Sequence, residues 1–219
     1  MQQLLNDVLS IAHRFWPNAV IAGGAPRDVI FDKPVKDIDI WIPDLDLRTD
    51  PLDCYAADED DDFSLVLDAS LDDYVGDFRR ALRDELEYGT VLGYVSGYVG
   101  DFDGVWPNLL VSVNDSLPDV NLLFVDETAI PEWSTMALMQ RFDFGINQIA
   151  LETPGVPFRF TRQAYEDVEY QQFTLVRTCD QHQYDRLVKR VKRFKMKYPD
   201  FAFVVPEALV RDVERDPTL

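Results

Sequence analysis

At 219 residues the chain has material for one medium domain, or a core with a helical extension, and can bury a core without covalent staples. Its hydrophobic share of 47% argues against long disorder, and two cysteines (Cys54, Cys179) with two histidines (His13, His182) argue against a disulfide scaffold or a structural zinc site, so a reducing, cytoplasmic setting is expected. A net charge of −19 repels anionic membrane and nucleic acid, so broad binding to either is not expected.

The N-terminal stretch repeats Leu4, Val8, Ile11 and Phe15 at helical spacing, widened by Leu5, Leu9 and Ala12, and Pro17 and Asn18 end the pattern. Asp7 inside that pattern and the lack of a basic lead read against a signal peptide, and no apolar run reaches membrane-spanning length. "AVIA" (19–22) follows as a short buried strand, and "PRDVIF" (26–31) as a short helix with proline in its first turn. "KDIDIWI" (36–42) alternates strictly. Asp37, Asp39 and Trp41 share one face, and Ile38, Ile40 and Ile42 share the other.

Between Asp44 and Asp73 the chain carries twelve acids against one base, Arg48, and includes the run "DEDDD" at 58–62. A solvated acidic loop explains such a run most simply, and a cation-binding or nucleic-acid-mimicking surface is the functional alternative. A helix is expected through Tyr74, Phe78, Leu82 and Leu86. "TVLGYVSGYVG" (90–100) reads as strand or hairpin, and "LLVSVN" (109–114) and "VNLLFV" (120–125) as strands parted by the "DSLPD" turn. "PEWSTMALMQ" (131–140) is helix-like and "RFDFGINQIAL" (141–151) reads as a buried strand. In "YDRLVKRVKRFKMKY" (184–198) the stripe Leu187, Val191, Phe194, Tyr198 is apolar, and seven of the 21 basic residues surround it. The pattern is α+β: a mixed sheet flanked by helices over residues 1–160, with the acidic 44–73 insertion, then a helical extension over 161–219 packed on that core.

The chemistry concentrates in residues 22–42. Two carboxylates at i and i+2 of a strand project from one face, and both stay ionised near neutrality only if a cation offsets their repulsion. Oxygen ligands with few histidines favour Mg²⁺ or Mn²⁺ over zinc. Gly23 and Gly24, at a strand end before a helix, let backbone amides approach a polyphosphate. Arg27 either grips a phosphate or pairs with a local carboxylate, and Asp28 reads as a structural partner. Glycines for phosphate and aspartates for metal suit a nucleoside triphosphate.

"GGAPRD" followed thirteen residues later (Gly24 to Asp37) by "KDIDI" resembles the nucleotidyltransferase superfamily that includes polymerase β and the CCA-adding enzymes, and within it the Gly-Gly-x-x-Arg-Asp and Asp-x-Asp signatures of the CCA-adding branch. More loosely, and discontinuously over residues 19–201, the chain is similar to a poorly characterised group of nucleotidyltransferase-like proteins of phages and large viruses, whose Phe-Asp strand and downstream Lys-Tyr helix match Phe142-Asp143 and Lys197-Tyr198. No Arg-Arg-Asp or acid-Asp-x-x-Arg base-reading motif is evident, so the resemblance implies nucleotidyl transfer rather than CCA addition itself.

That resemblance implies a third carboxylate between apolar residues on a later strand. Asp143, between Phe142 and Phe144, fits this better than Asp119, which lies at a turn; a structural aspartate paired with Arg141 or a backbone amide is the competing reading. It also implies Asp37, Asp39 and Asp143 as catalytic metal ligands, with Gly23, Gly24 and Arg27 on the triphosphate. Arg193 and Lys197 are expected either to face the triphosphate or an RNA end, or to pair with the acidic loop. The expected reaction moves a nucleoside monophosphate from an NTP, with Mg²⁺ or Mn²⁺, to a hydroxyl of an RNA 3′ end, a protein or a small molecule. The rival expectation is a non-catalytic binding or inhibitory protein acting on a host factor through its acidic surface.

Overall fold

The computed structural model of the chain describes residues 1–43, 69–86, 91–95, 105–112, 117–125, 130–177 and 181–215. Most of the acidic stretch (44–68), both cysteines and much of the glycine-rich 90–100 run lie outside the described residues.

A seven-stranded mixed sheet organises the fold. Its strands are β1 (Val20–Ala22), β2 (Asp37–Pro43), β3 (Val91–Val95), β4 (Val105–Ser112), β5 (Asp119–Val125), β6 (Ile149–Leu151) and β7 (Arg159–Phe160), in the order β3-β4-β5-β2-β1-β6-β7. β2 and β5 run parallel, and every other pairing in this sheet is antiparallel. The parallel pair lies at the centre, where both faces must be covered, and the sequence complies. Ile38, Ile40 and Ile42 of β2, with Val120, Leu122 and Phe124 of β5, pack on one face with Leu5, Val8 and Leu9 of α1 (Gln2–Ala12) and Val75, Phe78 and Leu82 of α3 (Ala69–Leu86). Trp41, Leu123 and Val125 pack on the other face with Leu138 and Met139 of α4 (Thr135–Met139) and with Phe142. The alternation read in "KDIDIWI" is thus the division between two cores.

Several ends differ from the expected ones for local reasons. α1 stops at Ala12, ahead of Pro17, and the ring of His13 hydrogen-bonds the Ala19 carbonyl at 2.8 Å. α2 (Gly24–Ile30) begins at the second glycine, two residues before Pro26. α4 starts at Thr135 because Ser134 caps it, Oγ accepting from the Ala137 amide at 3.1 Å.

The larger correction concerns "RFDFGINQIAL". Strand structure there is limited to β6 and an isolated bridge from Phe144 to Leu175, and Gly145–Asn147 forms a 3₁₀ turn. The turn exists because the backbone at Gly145 runs against α5 (Arg162–Glu169). A Cβ there would come within 2.4 Å of Gln163 Cγ and 2.6 Å of Asp167 Oδ2. Asp167 is fully buried and accepts from Gln163, Gln172 and both the amide and hydroxyl of Thr174, so it has no room to retreat.

The C-terminal part mixes helices with a small parallel ribbon: β8 (Gln172–Thr174), between α5 and α6 (Gln181–Lys197), lies beside β9 (Ala202–Val204), between α6 and α7 (Glu207–Arg215). Its core joins Phe173, Leu187, Val191, Phe194, Tyr198, Leu209 and Val213 to Phe144 and Ile146 of the preceding segment. Phe31, after α2, packs on the same cluster. Among the described residues, no helix is long and apolar enough to cross a membrane.

Gly145→Ala is expected to cost about 1–3 kcal/mol through this overpacking, read as a fall in the thermal midpoint. Gly24→Ala, whose added Cβ would meet only Arg27 Nη2 at an ordinary 3.6 Å, serves as the mild comparison.

Candidate active site at the start of the central strands

The two central strands carry matching sequences. β2 reads Asp37-Ile-Asp39-Ile-Trp41 and β5 reads Asp119-Val-Asn121-Leu-Leu123, and the parallel register sets Asp37 beside Asp119, Asp39 beside Asn121 and Trp41 beside Leu123. Strand alternation puts all six on one face. That face is apolar from Trp41 and Leu123 onward, and polar at the two strand starts. Because β1 runs antiparallel to β2, the end of β1 and its Gly23–Gly24 turn fall at this same polar end. The Trp41 indole donates to the Ala22 carbonyl at 3.4 Å, and Phe142 stands edge-on to Trp41 at 5.5 Å. These aromatics close the apolar side.

Gly23 leads into α2 with φ 98°, a left-handed conformation that glycine adopts without strain, and its amide donates to the Ile149 carbonyl at 3.0 Å. A Cβ at Gly23 would meet the Phe142 ring only at ordinary contact, so backbone geometry rather than space requires the glycine. Gly24 is under neither constraint from the fold.

Asp39 is half-buried and accepts a hydrogen bond from Asn121 Nδ2 at 2.8 Å. Burial, then the charge of Asp37, pushes its carboxyl from 3.8 up to about 7, with the Asn121 hydrogen bond and the Lys36 charge offsetting part of the rise. Asp37 is more open, its side chain 42% exposed, and Lys36 Nζ lies 3.9 Å away. The donor set fits a hard divalent cation: adjacent carboxylates, one of them short of counter-charge, with an amide fixing one oxygen. Among the described residues, no three carboxylate, histidine or cysteine side chains converge closely enough to hold a metal ion together.

Asp143 lies in the segment before the 3₁₀ turn; its carboxylate pairs with Arg190 of α6, and its carbonyl accepts from the Val176 and Arg177 amides. Arg27 takes the second of its two anticipated roles. Its side chain is 7% exposed, and Nε and Nη2 donate to Asp28 Oδ1 at 2.8 and 2.6 Å, while Nη1 donates to Asn147 Oδ1 at 2.6 Å. The guanidinium stacks over Phe194 and Tyr198 at 4.9 and 5.3 Å. Lys197 pairs with Asp28 Oδ2 and donates to the Pro34 carbonyl at 2.7 Å. Arg193 is exposed on α6.

Sequence reasoning gave no role to Asn121 or Tyr198. The echo of Asp-x-Asp as Asp-x-Asn in β5 was a readable signal for the first. The phenol of Tyr198 donates to Asp28 Oδ1, and burial, reinforced by Asp28 and partly opposed by Arg27, holds its pKa well above the ordinary phenol range.

The raised pKa of Asp39 has a definite sign. Between about 4 and 7 the unfolded chain has released this proton while the folded chain keeps it, so this group's contribution to stability falls as pH rises through that window. Asp39→Asn should therefore match the wild type near pH 4 and exceed it at pH 8 by on the order of 1 kcal/mol or more, measured by thermal or urea unfolding without added metal.

No protein-family model matches the chain, and no curated protein sequence matches it. Among solved structures it is similar to a CCA-adding enzyme in complex with CTP, at 14% identity and a TM-score of 0.54 over 97% of this chain and 42% of the other. It is similar also to the Thermotoga maritima CCA-adding enzyme complexed with tRNA, at 14% identity and a TM-score of 0.50 over 97% of this chain and 40% of that one. The chain spans less than half the length of either. At such identity the likeness concerns the fold: the mixed sheet and flanking helices form a nucleotidyltransferase-like fold, as "GGAPRD" and "KDIDI" led the sequence analysis to expect.

Proposed function

We propose that the chain is a metal-dependent nucleotidyltransferase that moves a nucleoside monophosphate from an NTP to an acceptor hydroxyl. The observation that carries this reading is the meeting, at one end of the sheet, of the Gly23–Gly24 turn with the Asp37–Asp39 carboxylates of β2. Structures sharing the fold include a CCA-adding enzyme with CTP and one with tRNA, which supports a nucleotide substrate and leaves the acceptor as RNA 3′ end, protein or small molecule.

In this reading Asp37 and Asp39 hold Mg²⁺ or Mn²⁺. The bound cation would neutralise phosphate oxygens and lower the cost of ionising the acceptor hydroxyl. Asn121 fixes one oxygen of Asp39 and so aims the other. The Gly23–Gly24 turn would receive the triphosphate at Gly24, because the Gly23 amide is spent on the Ile149 carbonyl, and Arg193, exposed on α6, would supply a cation to the phosphates. The acceptor hydroxyl loses its proton to solvent as its oxygen bonds to the α-phosphorus, the bond from the α-phosphorus to its bridging oxygen breaks, and pyrophosphate leaves with those electrons. Neither candidate third carboxylate converges with Asp37 and Asp39 among the described residues; Asp119 is in register beside Asp37, whereas Asp143 is engaged by Arg190, which favours Asp119. Residues 161–219 act as an extension packed on the 1–160 core, since Phe144 and Ile146 share the apolar cluster of α6 and α7.

The test incubates the protein with Mg²⁺, each labelled NTP and total RNA or cell lysate. Transfer by the wild type that falls to background in Asp37→Asn and Asp39→Asn is expected, with Asn121→Ala lowering it by about 10–100-fold. Asp119→Asn should lower it more than Asp143→Asn. Gly24→Ala should weaken triphosphate binding while leaving thermal stability near the wild-type value. No transfer, no pyrophosphate and no metal-dependent triphosphate binding would contradict the proposal; free phosphate without transfer would indicate a hydrolase.

A further inference from the structure

The two halves of the site are separate in sequence, and something must fix one against the other. Asp28 is the point where they meet. Its carboxylate is 5% exposed and is filled by donors from two elements: Arg27 of α2 and Tyr198 on Oδ1, and Lys197 on Oδ2. Tyr198 follows Lys197 at the end of α6, about 170 positions further along the chain. Arg27 Nε also lies 3.1 Å from the Tyr198 hydroxyl.

The same cluster grips the loop that leads into β2. Lys197 donates to the Pro34 carbonyl, Lys33 Nζ sits 5.7 Å from the Tyr198 ring centroid, and Phe31 stands edge-on to that ring at 5.9 Å. On the far side, Arg27 reaches Asn147 of the 3₁₀ turn just before β6, the strand whose Ile149 carbonyl accepts from the Gly23 amide. Upstream of the cluster lies the glycine turn, four residues before Arg27. Downstream, three residues after Pro34, lies Asp37.

We propose that Arg27, Asp28, Lys197 and Tyr198 form a buried lock through which the end of α6 positions the Gly23–Gly24 turn relative to the β2 carboxylates. Arg27 and Lys197 then act on the nucleotide indirectly, as positioning residues, and the Lys-Tyr pair closing α6 belongs to the site without touching substrate. Buried Arg27 and half-buried Lys197 share one buried carboxylate, so each holds its place only while the others do. The effect on nucleotide rests on the proposed triphosphate site; the coupling of α6 to the turn does not.

Tyr198→Phe removes the hydroxyl and keeps the ring that packs on Phe31, Phe173 and Phe201. Val213→Ala, in the same apolar cluster but on α7, controls for general loosening. By hydrogen–deuterium exchange, the segment 21–36 should exchange about tenfold faster in Tyr198→Phe and at the wild-type rate in Val213→Ala. Lys197→Met should behave as Tyr198→Phe does, and Lys197→Arg should restore most of the protection. In the transfer assay, Tyr198→Phe should raise the triphosphate KM about tenfold with kcat changed less than about threefold. Unchanged exchange over 21–36 in Tyr198→Phe, or an equal rise in Val213→Ala, overturns the lock. A wild type that neither binds nor transfers nucleotide counts against the proposed function, and the exchange result still decides the coupling.

Discussion

Asp28 is a buried carboxylate that satisfies an arginine, a lysine and a phenol at once, and the geometry of the candidate site depends on it. A carboxylate with so little exposure is tolerable only with such partners, and buried Arg27 is tolerable only with such a carboxylate. Each therefore fixes the other, and together they fix what they are attached to: a glycine turn, the loop into β2, a 3₁₀ turn and the end of α6. The aromatic stack beneath, with Phe173 stacked on Phe203 at 5.0 Å and on Phe194 at 4.4 Å, gives the charges an apolar seat. α6 thus contributes to the site from a distance, through packing.

The starts of β2 and β5 are built on the opposite principle. There Asp39 is partly withdrawn from water beside a second carboxylate, and one amide hydrogen bond compensates it only partly. Burial and the neighbouring Asp37 charge raise its pKa. Asp28 and Asp39 lie in the same short motif, yet Asp28 is paired with two cations and a phenol of the protein while Asp39 has one amide donor. In the proposed function that contrast gives structure to the first and metal binding to the second.

Much of this was legible in the sequence where local pattern and tertiary demand agree. "KDIDIWI" alternates because β2 divides two cores, and Gly23 announces a backbone that other residues adopt only with strain. The pattern misled where long-range contacts decide. "RFDFGIN" is rich in strand formers, but Gly145 is pressed against Asp167 and Asn147 is held by Arg27, so a 3₁₀ turn wins. The local carboxylate offered to Arg27 is its neighbour Asp28. Nothing local reveals that Lys197 reaches the same aspartate across 169 residues of chain. Asn121 carries no ligand signal of its own in the sequence, although its place opposite Asp39 suits it to orient one.

The central claim is that metal and triphosphate meet at the starts of β2 and β5 beside the glycine turn. Paramagnetic broadening of backbone amide signals by Mn²⁺, in the presence of a non-hydrolysable NTP analogue, reads this location directly. The account predicts broadening centred on residues 22–24, 37–39 and 119–121, lost in Asp39→Asn. Broadening centred on the acidic run 58–62 instead, with 37–39 untouched, would contradict it.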